Sequence, residues 1–232
     1  MSFFSIAIPA YEMHGKGAEF LNFSFNCLNS QTYKDFEVVV SDHSKTNEIE
    51  KICEEWSSYL NIVYLKNEIN RGSSSANINN ALYNCSSEWI KILFQDDFLY
   101  RKDSLEIIKK HILENSKLYW IANACCHTND GVNLHTPHTP KWNYDQVIGN
   151  NGISSPSVIC INKNIDIKFD EKLLWLMDVD FYQKMYMKYG EPYYINEILV
   201  VNRNWGNRLS DTLSENLKNE EVLMMYNRYF QK

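Results

Sequence analysis

In Trp89-Ile90-Lys91-Ile92-Leu93-Phe94-Gln95-Asp96-Asp97, an apolar run of strand character ends directly on two adjacent carboxylates. A short apolar run bounded by polar residues suits a strand buried on both faces. The carboxyl ends of such strands are where open α/β sheets bind ligands. Two hard oxygen donors there suit a divalent cation, and a cation beside a pocket suits a diphosphate. The competing reading is loop solvation or helix capping. Asp103, with Glu106 three residues on, already gives a capping-box start to a helix predicted over 103–114, which leaves Asp96 and Asp97 without capping duty.

On the N-terminal side, further strand runs are predicted at 3–8, ended by Pro9, at 36–40 and at 61–65, separated by helical patterns over 18–30, 48–59 and 74–83. Alternating strands and helices imply parallel strands with right-handed crossovers, so residues 1–125 read as a Rossmann-like nucleotide half. The remaining residues, 126–232, are less regular. A strand is predicted over 117–124, a long mobile loop over 127–152, a strand at 157–161, a helix over 178–189, a strand at 193–201 and a terminal helix over 213–230. No repeat, low-complexity tract or linker divides the chain, which predicts a single domain over 1–232.

The composition narrows the partners. With 232 residues, 44% of them hydrophobic and 22% charged, the chain suits one α/β domain. A net charge of −6 without a basic stripe excludes a nucleic-acid surface. Six cysteines without a C-x-x-C pair read as reduced core thiols of a cytoplasmic protein. No apolar stretch reaches the length of a membrane span, so contact with a membrane is expected to be peripheral at most.

Two more acids deserve weighing. Asp42 ends the second strand beside the exit of the first, at Pro9-Ala10-Tyr11-Glu12, where paired loops can hold a base and a ribose; the alternative is that Asp42 or Ser44 caps the next helix. Asp178, in Trp175-Leu176-Met177-Asp178-Val179-Asp180, suits a general base opposite a leaving diphosphate, although any acid in a first helical turn is favoured by the helix dipole. His127, His135 and His138 lack metal-ligand spacing and read as solvated or acceptor-contacting. Trp142, Trp175 and Trp205 suit either sugar stacking or the core. Ser73-Ser74-Ser75 beside Gly72 lacks the Walker lysine.

Taken in order, Ile6-Ala7-Ile8-Pro9-Ala10-Tyr11, the 30–44 segment around Val38-Val39-Val40-Ser41-Asp42, Asn70-Arg71-Gly72 through Asn77 to Ala81, Gln95-Asp96-Asp97 and Met177-Asp178-Val179-Asp180 make the chain resemble the family 2 glycosyltransferases of the GT-A fold. The resemblance implies an α/β fold with a mostly parallel, Rossmann-like central sheet flanked by helices: a nucleotide-sugar-binding half (1–125) and a smaller acceptor-binding half (126–232). It implies an inverting transferase that moves a sugar from a nucleoside diphosphate to a hydroxyl of a glycan or lipid-linked acceptor, in surface polysaccharide or glycan synthesis. Pro9, Ala10, Tyr11, Glu12, Asp42, Asn70, Arg71, Asn77 and Asp96 would hold the donor. Asp97, with Asp96, would bind Mn2+ or Mg2+, Asp178 would be the base, and Trp175, Asp180 and Trp205 would meet the acceptor.

Three positions depart from that pattern. Met177 stands where an acid often precedes the base, and Gln95 where some members carry another acid. Asn202-Arg203-Asn204-Trp205-Gly206-Asn207 lacks the histidine that often lies near the metal, leaving Arg203 or Arg208 to neutralise diphosphate charge. The alternatives are a sugar-phosphate nucleotidyltransferase, weakened because only Gly15-Lys16-Gly17 approaches a triphosphate loop, and a catalytically silent glycan-binding protein.

Overall fold

The computed structural model describes residues 2–206 and 209–231. The short apolar runs of the first half form β1 (Phe4–Ala10), β2 (Phe36–Asp42), β3 (Ile62–Lys66) and β4 (Trp89–Ile92), with α1 (Gly17–Asn29), α2 (Glu48–Trp56) and α3 (Ser74–Asn84) between them. These strands lie in the order β3-β2-β1-β4, all parallel. Every residue of β1 and β2 is buried, which is why both read as unbroken apolar runs rather than alternating ones. Ala10 lies opposite Asp42, so the two strands leave the sheet side by side.

The later elements are β5 (Phe98–Leu99), α4 (Ser104–Glu114), β6 (Trp120–Thr128), β7 (Leu134–His138), β8 (Ile159–Asn162), α5 (Met177–Tyr189), β9 (Tyr193–Arg203), α6 (Leu209–Thr212) and α7 (Glu215–Phe230). Beyond β4 the sheet continues β8-β6-β9-β5, with β7 on β6. β8 is antiparallel to both β4 and β6, whereas β6 and β9 are parallel. The sheet is therefore parallel through the first half and mixed beyond it. A continuous apolar core runs through both halves, from Phe4 to Met225.

Three local expectations are corrected. The 127–152 segment is not all loop: β7 pairs antiparallel with β6, and Gln146–Ile148 forms a 3-10 turn. β7 contains Pro137 and is mostly exposed, so it lacks the apolar alternation of a half-buried strand; an outer strand tolerates the missing N–H. β9 runs to Arg203, two residues further than expected, which matters for the site below. The capping box at Asp103 does not form. Asp103 instead takes the Arg101 guanidinium (Nε 2.8 Å, Nη2 2.7 Å), and Glu106 accepts from Thr32 Oγ1 at 2.8 Å. A two-pronged charged donor outcompetes a single amide. The open end of α4 is met by Gln31, whose Oε1 accepts from Leu105 N at 3.2 Å.

Two features hold the halves together. Lys91, fully buried in β4, donates to the carbonyls of Ile92 (3.1 Å), Ile159 (3.2 Å) and Ser157, joining β4 to the start of β8. Burial pushes its ammonium down to about 8, against the pull of nearby Asp97. α3 is stitched to the 169–173 segment: Asn79 and Phe169 exchange two hydrogen bonds (2.9 and 3.0 Å), and Ser75 Oγ donates to Leu173 O at 3.3 Å. Among the described residues, no helix is long and apolar enough to cross a membrane. Five cysteines are buried thiols and Cys27 is half-buried.

Candidate active site

At the exits of β1 and β4 lies a cavity of about 550 Å3 lined by Pro9, Tyr11, Glu12, His14, His43, Lys45, Arg71, Asn77, Gln95 and Asp96, among others. Its size suits a small organic ligand. The shape of its floor is set by Gln95, whose Oε1 accepts from Tyr11 N at 2.9 Å while its Nε2 donates to Gly17 O at 2.7 Å. An acid at this position could not donate the second bond. The loop is drawn so tightly onto α1 that a Cβ on Gly17 would sit 2.1 Å from Tyr11 O. Gly17→Ala is therefore expected to cost about 1–3 kcal/mol, read from the denaturation midpoint, and to weaken nucleotide binding as the Tyr11 loop moves.

Asn77 ties the neighbouring strand exits together: its Nδ2 donates to Ala10 O (3.0 Å), and its Oδ1 accepts from Ser41 Oγ (2.7 Å) and Asn67 Nδ2 (3.4 Å). Ala10, Asp42 and Asn70 are not on the cavity wall. Asp42 is fully buried: Oδ1 accepts from Ser44 N (2.7 Å) and Oγ (2.5 Å), and Oδ2 from Tyr64 OH (2.7 Å) and Lys66 Nζ (2.9 Å). Nor does it cap α2, whose N-cap is Asn47. Its observed work is to shape the turn that presents His43 and Lys45. Asn70, at φ 50°, donates to Glu171 Oε2 at 2.7 Å and so reaches across to the second half.

Asp96 and Asp97 meet the C-terminal end of β9. Arg203 N donates to Asp97 Oδ1 (2.9 Å), Arg203 Nε to Asp96 O (3.1 Å), and Trp205 Nε1 to Asp96 Oδ2 (3.2 Å). The segment that lacks a histidine thus supplies N–H donors to both acids. The Arg203 guanidinium is caged by Phe20, Phe23 and Phe98, at 4.6, 5.2 and 5.6 Å from the ring centroids. Gly131 covers it so closely that a Cβ there would lie 2.6 Å from Nη1. Arg203 is thereby committed to the acids and is not presented to a diphosphate; Arg208 lies outside the described residues. Trp205 packs edge-on against Phe20 (5.5 Å) and closes over Asp96.

Burial, then the charge of Asp97, pushes Asp96 up to about 7, and burial likewise raises Asp97. Two desolvated carboxylates that repel each other form a place a cation would relieve. Among the described residues no group of three or more His, Cys, Asp or Glu could hold a metal ion. Asp96 and Asp97 would therefore be the protein ligands of a cation whose remaining ligands come from water and phosphate oxygens.

Asp178 stands in the first turn of α5, half-buried, and burial of its carboxyl pushes it up to about 7. Its Oδ1 accepts from Val179 N at 2.7 Å and its Oδ2 from Asn151 Nδ2 at 2.8 Å. From there a polar network crosses to the acid pair. Asn151 Nδ2 also donates to Ser154 O (3.0 Å); Ser154 Oγ accepts from Asn202 Nδ2 (3.0 Å); Ser155 Oγ donates to Asn202 Oδ1 (3.0 Å) and to Asp97 Oδ2 (3.3 Å). Ser154 holds φ 95°, a conformation that side chains rarely adopt and that tends to mark functional sites. Asn151, Ser154 and Ser155 were not singled out from the sequence; their one signal was the polar run Asn150-Asn151-Gly152-Ile153-Ser154-Ser155, and Asn202 was named only as part of the segment without a histidine.

Asp180 is a correction on the acceptor side. It is fully buried against α7, bonded to Arg228 Nη1 (2.5 Å), Tyr229 OH (2.6 Å) and Lys184 Nζ (2.5 Å). Trp175 is a wall between Gly149, where a Cβ would lie 2.9 Å from its ring, and Lys218, 5.7 Å above it. Met177, in place of an acid, is buried in the core. His127 and His135 stack at 6.2 Å across β6 and β7, and His138 pairs with Gly152 O at 3.0 Å.

The family model described as glycosyl transferase family 2 matches residues 5–174, which include the acid pair and the cavity wall from Pro9 to Asp96. The chain belongs to glycosyl transferase family 2. Among family relatives, the amylovoran biosynthesis glycosyltransferase AmsB of Erwinia amylovora is 24% identical over 193 residues, 76% of this chain and 62% of that protein. The glycosyltransferase GlyA of Streptococcus pneumoniae serotype 4 is 32% identical over 114 residues, 47% of this chain and 15% of that protein. The chain thus spans less than two thirds of either curated relative. Among solved structures, residues 1–349 of S. aureus TarS in complex with UDP-GlcNAc match with a TM-score of 0.69 at 19% identity, covering 99% of this chain and 73% of that one. The mannosyltransferase PcManGT from Pyrobaculum calidifontis, in complex with GDP-Man and Mn2+, matches with a TM-score of 0.62 at 15% identity over 87% of this chain and 56% of that one. The fold is accordingly the GT-A fold of glycosyltransferases.

Proposed function

We propose that this family 2 chain is an inverting glycosyltransferase, taking a sugar from a nucleoside diphosphate and delivering it to a hydroxyl of a glycan or lipid-linked acceptor in polysaccharide synthesis. The observation that carries the reading is the network joining Asp97, beside the cavity, to Asp178 on the other half of the molecule. The donor lies in the cavity, its diphosphate toward Asp96 and Arg71. Asp178 takes the proton of the acceptor hydroxyl as that oxygen attacks the anomeric carbon, and the bond from that carbon to the diphosphate oxygen breaks on the opposite face. A carboxyl near 7 is matched to this task at neutral pH. A bound Mn2+ or Mg2+ would stabilise the negative charge of the departing diphosphate. AmsB is named for amylovoran biosynthesis, and the solved neighbours are in complex with UDP-GlcNAc or GDP-Man, which supports the donor class. Against a nucleotidyltransferase, Lys16 is drawn to Glu19 at 2.8 Å rather than into the cavity.

Thermal-shift measurements with UDP, GDP, dTDP and CMP, each with Mn2+ or Mg2+, test the reading. One nucleoside diphosphate is expected to raise the unfolding temperature, and only when the metal is present. Stabilisation by none of them, with retained binding of glycans, would favour the silent glycan-binding alternative.

A further inference from the structure

α7 is a poor candidate for a helix held by apolar burial. Of its sixteen residues, only Glu221 and Met225 are buried. Its attachment is polar and falls at two places about two turns apart on one face. At the second, Arg228 and Tyr229 grip Asp180, and Arg228 Nη2 also reaches Asp170 at 2.7 Å. At the first, the Glu221 carboxylate, in a residue 4% exposed, accepts from three consecutive backbone amides: Leu174 N at 2.7 Å, Trp175 N at 2.9 Å and Leu176 N at 2.8 Å. These amides form the turn that leads directly into α5. Leu176 is the N-cap of α5 and makes no side-chain cap bond, so an acid from a distant helix organises the entry to α5.

We infer that Glu221 is a positioning residue for Asp178, fixing the 174–176 turn so that the first turn of α5 holds the Asp178 carboxylate in the cleft. The inference rests on the reading of Asp178 as the base. A buried carboxylate closing a nest of amides gives a charge-assisted, three-pointed anchor, where an apolar contact would let the turn slide. Glu221 also acts on Asp178 electrostatically. The groups facing Asp178 are Asn151 from the 151–155 loop, Tyr182 one turn on along α5, and Glu221 from α7; of these, Glu221 adds a negative charge that raises the Asp178 carboxyl beyond the effect of burial.

Titration of protein labelled with 13Cγ-aspartate tests the inference, the Asp178 signal being identified by its absence from Asp178→Asn. In Glu221→Gln the midpoint of that signal should move to lower pH. The amide proton signals of Leu174, Trp175 and Leu176 should move upfield as their charged acceptor is lost. Glu221→Asp keeps the charge on a shorter stem, so the midpoint should recover while the amide signals stay displaced. An unchanged midpoint and unchanged amide signals in folded Glu221→Gln would overturn the proposal. If that variant yields no folded protein, Glu221→Asp decides: displaced amides uphold the positioning and undisplaced ones overturn it. No substrate enters these measurements, so retained transfer by Asp178→Asn would remove the base assignment while leaving the link between Glu221 and Asp178 standing.

Discussion

Asp178→Asn is expected to lower transfer by about 100- to 10,000-fold, the range attributed to a positioned general base, while metal-dependent nucleotide binding is retained. The amide keeps the size of the carboxylate but cannot accept the acceptor's proton. Full turnover in this variant would reject the assignment. The parent enzyme's rate should rise with pH through about 7, where the Asp178 carboxyl loses its proton. Stability should move the other way. The folded-state value lies above the ordinary carboxylate value of about 4, so between about 4 and 7 the folded chain holds a proton that the unfolded chain has released, and stability falls as pH rises. Asp178→Asn escapes that loss. Its unfolding temperature should exceed the parent's above pH 7 and converge with it toward pH 4, which calorimetry across the range would show.

The second large effect is expected at Asp97. Asp97→Ala should abolish the metal-dependent part of nucleotide binding in isothermal titration, and transfer should fall by about 100-fold or more, since a cation at a developing phosphate charge contributes several kcal/mol. Stability is a contest of two effects. The substitution strands Arg203 N, which donates to Asp97 at 2.9 Å, at a cost of about 1–3 kcal/mol, whereas Ser155 Oγ keeps Asn202 Oδ1 at 3.0 Å. It also removes a buried charge that raises Asp96. Asp97→Asn keeps an acceptor oxygen for Arg203 N without the charge, and its NH2 can donate to Ser155 Oγ, so it should be more stable than Asp97→Ala while binding metal no better. Metal-dependent nucleotide binding that survives in both variants would remove Asp97 from the cation site.

β1 to β4 were legible because each is a short apolar run cut off by turn residues, and their exits carried the acids that mark a binding edge. What the sequence could not show was pairing between distant segments. Asp42 stood out as an acid at a strand exit, but its burial follows from the β2–β3 register, which sets Asp42 opposite Lys66 and brings Tyr64 within reach. Asp178 and Asp180 are two residues apart on a helix and so point about 200° apart. α7 separates them: its Arg228 and Tyr229 claim Asp180, while Asp178 turns to Asn151. Arg203 is similar: a free-looking cation in the sequence, it is enclosed because three phenylalanines from α1 and β5 converge on it. The Asn151–Ser155 network was invisible because small polar residues in a loop look alike until their partners are fixed.

The stitching of α3 to residues 169–173, with Asn70 reaching Glu171, constrains how this molecule can exchange ligands. A molecule whose lobes opened like a clam to admit and expel nucleotide would have to break that seam on every cycle. With the seam intact, traffic through the cleft is left to small excursions of the connecting loops around Tyr11 and His43, so ligand exchange should leave the relative orientation of the two lobes unchanged.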